Sequence, residues 1–215
     1  MRIVQVYEED GATLTLRERE GDLDLVMGRI PLLTSRALGT EDAFGRLAMD
    51  GNASPDRKVI VGGLGFGATL KGVLAVVPEG TKVLVVEKLE AVISIARTHA
   101  AHLVGDCLQD ARVTLERADV VDVIARERDV AAILLDVDNG PGWASFRKNA
   151  RLYAEPGLVA AREALAPGGI LAVWSGYEEN SFVAALRRAK LSPRIVPLRE
   201  RGVLAARAYV GARPG

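Results

Sequence analysis

The chain has 215 residues, with 28 Lys and Arg against 28 Asp and Glu, 49% hydrophobic residues and 26% charged ones. This is globular composition, long enough for a sizeable core in one domain plus a small appendage. Zero net charge offers no basic excess to a nucleic acid, no apolar run approaches the roughly 20 residues that span a membrane, and the single Cys107 forms no internal disulfide, which points to a reducing cytoplasm.

Met1-Arg-Ile-Val-Gln, followed by Glu8, Glu9 and Asp10, reads as no signal peptide. Ile3, Val4 and Val6 alternate as a strand before a turn at Glu9-Asp10-Gly11. Thr13 to Leu16 and Leu23 to Met27 read as two further strands. Residues 1–30 thus form a small antiparallel β element, too small to stand alone. It suits packing on the main domain or on a second copy in a homodimer. Residues 31–56 connect: a helix from Thr34 to Met49, with Ser35 or Thr40 as N-cap, and then the loop Asn52-Ala-Ser-Pro-Asp56.

From residue 57 to 215 the texture is βα alternation. Strands are expected at Lys58–Val61, Lys82–Val86, Arg112–Leu115, Ala131–Leu135 and Ile170–Trp174. Helices are expected at Ala68–Val77, Leu89–Val104, Val120–Ala125 and Leu158–Leu165. Continuous apolar strands between helices predict a Rossmann-like, mainly parallel sheet covered on both faces. After a helix at Asn180–Ala189, the strands Arg194–Leu198 and Leu204–Val210 lie only a few residues apart. They must pair antiparallel, because a parallel return needs a long crossover.

The glycine turn Val61-Gly62-Gly63-Leu64-Gly65-Phe66-Gly67 follows a strand and opens a helix, the context of a nucleotide-cradling loop. Glu87 closes the second strand, where a carboxylate accepts ribose hydroxyls. Asp119 lies after the third strand, placed for an adenine amino group or as a helix N-cap. Asp136, with Val137, Asp138, Asn139 and Gly140, follows the fourth strand, and ligands of open α/β sheets lie at carboxyl ends of strands. A carboxylate there stabilises a bound cation or takes a proton from an attacking group. His99 and His102 lack further ligands for a metal site, and Ser175 lacks the glycine elbow of a hydrolase.

In this order, Gly63-Leu-Gly65-Phe-Gly67, Val85-Val86-Glu87, Ala118-Asp119, Leu134-Leu135-Asp136 and Leu165-Ala-Pro167-Gly168-Gly169 resemble class I S-adenosylmethionine-dependent transferases. The turn continuing through Ala68-Thr69-Leu70-Lys71, the strand end Val86-Glu87-Lys88-Leu89, the loop Asp136-Val137-Asp138-Asn139 and Leu152-Tyr153 are similar to the spermidine synthase branch over residues 57–175. The resemblance implies the class I methyltransferase fold and S-adenosylmethionine, or its decarboxylated form, as donor. It implies donor binding by Gly62, Gly63, Leu64, Gly65, Gly67, Glu87, Lys88, Asp119 and Asp136, and acceptor binding by Asp138, Asn139 and Tyr153. It also implies a homodimer.

Phe66 stands where spermidine synthases carry the turn Asp, Asn139 matches their second loop Asp, and Thr40-Glu41-Asp42-Ala43-Phe44-Gly45-Arg46 replaces a Tyr- and Gln-containing acceptor segment. Fewer anionic positions weaken a diamine site. Methyl transfer to a small nucleophile, such as an amine, with Asp136 assisting, is therefore the first expectation, and aminopropyl transfer the second. A nicotinamide-dependent oxidoreductase also fits Gly63-x-Gly65-x-x-Ala68. A catalytically silent scaffold completes the alternatives.

Overall fold

A computed structural model describes residues 1–9, 11–137, 141 and 149–215. The first sheet is a meander of β1 (Arg2–Glu9), β2 (Ala12–Arg19), β3 (Asp22–Met27) and β4 (Ile30–Thr34), in that order. β4 is an addition to the three expected strands. Pro31 gives up a ladder donor there, which an edge strand tolerates. The helix expected from Thr34 is shorter, α1 (Gly39–Gly45), and passes into a 3-10 turn over Arg46–Gly51.

The second sheet follows β5 (Val59–Gly62), β6 (Val83–Glu87), β7 (Val113–Arg117), β8 (Val130–Leu135), β9 (Leu165–Ser175), β10 (Ser192–Glu200) and β11 (Val203–Ala212). Its spatial order is β10-β11-β9-β8-β5-β6-β7. β5 pairs parallel with both β6 and β8, β6 with β7, and β8 with β9. β11 runs antiparallel to β9 and to β10, as the short connection demands. The chain order reverses on either side of β5, and that reversal opens a crevice at the strands' carboxyl ends.

Every residue of β5, β6 and β8 is buried, as a strand covered on both faces requires. Alternate side chains feed two cores. Val59, Val61 and Leu134 face α1, α2 (Ala68–Leu74), α3 (Glu90–Arg97) and the N-terminal sheet's Leu14, Leu16, Leu23 and Leu25. Ile60, Ile133 and Leu135 face α5 (Val120–Arg126), α7 (Glu155–Ala164) and α8 (Asn180–Arg188). Between α3 and α5, the single helix expected over Leu89–Val104 is split into α3 and the one-turn α4 (Ala101–Val104). The break falls at Thr98, whose φ of −122° and ψ of −88° are not helical and whose hydroxyl turns back to the Ser94 carbonyl at 2.7 Å. A further turn, α6 (Ala150–Tyr153), precedes α7. No helix of the described residues is long and apolar enough to cross a membrane.

Candidate functional site

β5 ends directly in the glycine turn. Gly63 has φ +93°, and a Cβ there would lie 2.2 Å from the Asp136 carbonyl oxygen, so only glycine lets β5 pass this close to the end of β8. The neighbouring Gly62 carbonyl accepts the Asp136 N–H at 2.8 Å, and the Gly63 N–H donates to the Val86 carbonyl at 2.8 Å. Gly67, also left-handed at φ +80°, is the N-cap of α2. The turn is thus clamped between β6 and β8, with Gly63 and Gly65 lining the crevice.

Glu87, the last residue of β6, is 9% exposed. Its Oε2 accepts the Leu64 N–H at 3.0 Å and its Oε1 the Leu89 N–H at 2.8 Å. Burial raises its pKa despite these donors. Each oxygen keeps a second lone pair, a suitable acceptor set for two hydroxyls. Asp119 caps α5 by accepting the Val121 N–H at 3.0 Å through Oδ1. Its Oδ2 accepts from Arg151 at 2.7 Å and pairs with the Lys88 ammonium at 3.5 Å. Burial opposes ionisation of Asp119, but these donors together hold its carboxyl below the ordinary range. The cap reading is realised, and the same carboxylate also lines the crevice.

A cavity of about 440 Å³ runs along these groups, lined by Gly63, Gly65, Glu87, Lys88, Asp119 and Asp136 among others. Leu14, Met27, Leu32 and Leu33 of the N-terminal sheet form its roof. Glu9, at the end of β1, also reaches it. A second cavity of about 280 Å³ adjoins it, lined by Leu38, Glu41, Phe66, Thr69 and Trp174. The two share Leu32, Leu33, Gly65, Asp136 and Val137. Asp136 therefore stands where the two cavities meet.

Asp136 accepts the Thr69 hydroxyl at 2.7 Å through Oδ2. Burial pushes its pKa up to about 6. Glu41, within the segment that departs from the spermidine synthase pattern, lines the second cavity from α1. Burial pushes its pKa up to about 7, and the nearby charges of Asp136 and Glu200 add to the rise, while the Thr40 hydroxyl at 2.6 Å opposes it. Neither carboxylate is held by a cation among the described residues. The sequence signal for Glu41 is its place in the segment that replaces the acceptor segment of the spermidine synthase pattern. The signal for Thr69 is its match to the threonine after the glycine turn.

Other expected site residues fall elsewhere. Gly62 and Gly67 shape the turn without lining either cavity, whereas Leu64 lines the second. Tyr153, expected at the acceptor, is buried in the core edge-on to Phe182, with ring centroids 5.9 Å apart, and lines neither cavity; its amphipathic ring is used for packing. Asp138 and Asn139 lie outside the described residues.

No protein-family model and no curated protein matches the chain. Solved structures do. A spermidine synthase in complex with the transition state analogue AdoDATO aligns with a TM-score of 0.76 at 18% identity, over 100% of this chain and 73% of that one. Spermidine synthase from Thermotoga maritima aligns with a TM-score of 0.77 at 19% identity, over the same 100% and 73%. The chain has the spermidine synthase fold. A probable spermidine synthase from Corynebacterium glutamicum ATCC 13032 is similar too, with a TM-score of 0.65 at 14% identity, covering 99% of this chain and 81% of that one. The spermidine synthase fold accounts for the N-terminal sheet, the parallel core and the antiparallel C-terminal strands together.

Proposed function

We propose that the protein is a transferase that moves a carbon group from a bound adenosyl sulfonium donor to a small amine. The observation that carries this reading is the junction of two cavities at Asp136. The larger one fits an adenosyl group. It offers the paired acceptor oxygens of Glu87 to a ribose, the Asp119 edge to an adenine and the glycine turn, with its close-approaching backbone, to the rest of the donor. Lys88 would act there through Asp119, which it pairs. The smaller cavity carries two carboxylates, and no Lys, Arg or His among its described lining residues, as suits a cationic acceptor.

The sequence places methyl transfer first because Phe66 replaces the turn Asp. The likeness to spermidine synthase structures supports the second expectation better, aminopropyl transfer from decarboxylated S-adenosylmethionine. It also favours a transferase over a nicotinamide-dependent oxidoreductase. The apolar side chains that the N-terminal sheet leaves exposed, Ile3, Val6 and Ile30, suit the expected homodimer contact.

When bound, the donor supplies an electrophilic carbon beside its positive sulfur. The chain's contribution is to hold the acceptor and to handle its proton. Thr69 donates to Oδ2 of Asp136 and so orients the carboxylate, leaving Oδ1 to receive the proton that the attacking amine gives up. A carboxyl raised to about 6 is a better proton acceptor than an ordinary one, yet is still mainly ionised at pH 7. The N-terminal sheet, which lines both cavities through Leu32 and Leu33, helps align the two ligands.

The test is turnover of S-adenosylmethionine and of its decarboxylated form with 1,4-diaminobutane as probe acceptor, beside thermal unfolding with each donor and with NAD. Asp136→Asn is expected to lower turnover about 100-fold or more while keeping the donor-induced rise in unfolding midpoint. Full turnover in that variant would remove Asp136 from the mechanism. A larger midpoint shift with intact S-adenosylmethionine returns methyl transfer to first place, and a shift with NAD alone rejects the transferase reading. Donor binding without turnover of any acceptor would favour the silent scaffold.

A further inference from the structure

Charge is unevenly spread along a chain whose net charge is zero. Residues 180–215 hold eight of the 28 Lys and Arg but only one of the 28 Asp and Glu. The fold gathers most of this excess along one border of the large sheet. β10 is the edge strand, and α8, whose last turn carries Arg187 and Arg188, leads into it through Lys190. Side chains alternate along β10. Arg194, Leu198 and Glu200 turn to the α1 side, where Arg194 pairs with Asp50, Leu198 is buried and Glu200 accepts the Gly39 N–H at 2.9 Å. Ile195, Pro197 and Arg199 turn to the other side and are exposed, Ile195 at 43%. The hairpin then runs past the end of β9, whose ladder with β11 stops at Ser175 and Arg207. On this overhang Leu204, 42% exposed, is the cross-strand partner of Arg199, and Val203, 70% exposed, follows the Arg201-Gly202 turn. Among the described residues, Arg187, Lys190, Arg199 and Arg201 have no carboxylate at ion-pair distance, and Arg188 meets Glu155 only at 3.9 Å.

We infer that the β10 edge and the tip of its hairpin form a docking surface for an anionic lipid bilayer. Nothing in this inference depends on the transferase reading. Unpaired arginines and lysines are drawn to anionic headgroups, with a strength that falls as salt rises. Aliphatic side chains set among them gain by leaving water for the interfacial layer of the bilayer. Other occupants suit the surface less well. A nucleic-acid strand gains affinity by stacking its bases on aromatic rings, and residues 187–204 contain none. A polypeptide strand added to the edge needs ladder donors, which Pro193 and Pro197 lack. Ala205, next to Leu204 on the hairpin, lines the second cavity, so docking would bring that cavity near the lipid surface.

The experiment measures co-sedimentation of the full chain with vesicles of phosphatidylcholine alone and of phosphatidylcholine mixed with phosphatidylserine, at low and high salt. The mixed vesicles are expected to bind about tenfold more tightly or better, with most of that preference lost at high salt. Arg199→Glu combined with Arg201→Glu should weaken binding to the mixed vesicles about tenfold or more. Val203→Ser combined with Leu204→Ser should weaken it about fivefold at unchanged charge. The control is Lys82→Glu combined with Arg97→Glu, the same charge change at exposed positions away from β10, which should weaken binding far less. An equal loss in that control would show that net charge and not this surface governs binding, and would overturn the assignment. Equal affinity for the two kinds of vesicle, or binding to neither, would overturn it as well. A single-stranded oligonucleotide is the second probe. If it binds, loses affinity through Arg199→Glu with Arg201→Glu, and the vesicles do not bind, the surface belongs to a nucleic-acid backbone and the bilayer is rejected. Should the charge-reversed hairpin not fold, Arg187→Gln with Lys190→Gln takes its place, and undiminished vesicle binding in that variant would count against the proposal.

Discussion

Glu87 is enclosed and accepts two backbone N–H groups, whereas Glu41 has only the neighbouring Thr40 hydroxyl and two other carboxylates within electrostatic reach. The difference has a consequence for stability. An acid whose folded pKa is raised binds its proton more tightly in the folded state than in the unfolded one. The folded state is therefore progressively penalised as pH rises from the unfolded value of 4.5 to the folded value of about 7. One unit is worth about 1.4 kcal/mol, and with the partial exposure of Glu41 the penalty left at pH 8 is on the order of 1–3 kcal/mol. Glu41→Gln should accordingly raise the unfolding midpoint at pH 8 and leave it nearly unchanged at pH 4. Thermal scans at the two pH values check this, and equal shifts at both would show that the pKa of Glu41 is not raised on folding. A carboxylate that costs the fold stability and lines a cavity is consistent with a role toward a ligand there.

The first turn of α3 illustrates how one element completes another. Leu89, its N-cap, supplies no side-chain acceptor. Glu9, at the end of β1, does so instead: its two oxygens accept the N–H groups of Glu90 at 2.7 Å and Ala91 at 2.9 Å, and it also takes a bond from Arg117 at 3.1 Å. These are the unpaired donors of a helix start, met by a carboxylate from another sheet. Glu9→Ala should cost about 1–2 kcal/mol of stability, the range of a lost cap, read as a lower midpoint in urea. Because Glu9 also borders the larger cavity, nucleoside affinity should fall in the same variant. A stability loss without any change in affinity would confine Glu9 to a docking role.

For the molecule as a whole, the N-terminal sheet has no core of its own to fall back on. Leu14, Leu16, Leu23 and Leu25 are buried in the same cluster as Val59, Leu70, Val85 and Ile95 of the α/β body. The two sheets are thus expected to unfold together. Leu16 is 0% exposed, and Leu16→Ala should cost about 2–5 kcal/mol. Circular dichroism and the fluorescence of Trp143 and Trp174 should report one coincident, shifted transition. Two separated transitions would show that the sheet folds as an independent unit. The shared core matters for function because the roof of the larger cavity is made of this sheet.

Much of this architecture was legible along the chain because its signals are local. Fully apolar runs such as Ala131 to Leu135 mark strands covered on both faces, glycines at Gly62 to Gly67 mark a turn that side chains would block, and the few residues between β10 and β11 permit only an antiparallel return. Asp119 as a cap and Asp136 at a strand end were readable for the same reason. β4 and the break after α3 were not, since an edge strand with Pro31 and a single non-helical Thr98 leave weak periodic signals. Tertiary structure alone decided that Glu9 caps α3, that Tyr153 packs on Phe182 and that Glu41 shares a cavity with Asp136. Those contacts join residues far apart in the chain, and an electrostatic environment belongs to the groups that fold around a side chain, which no local pattern of residues records.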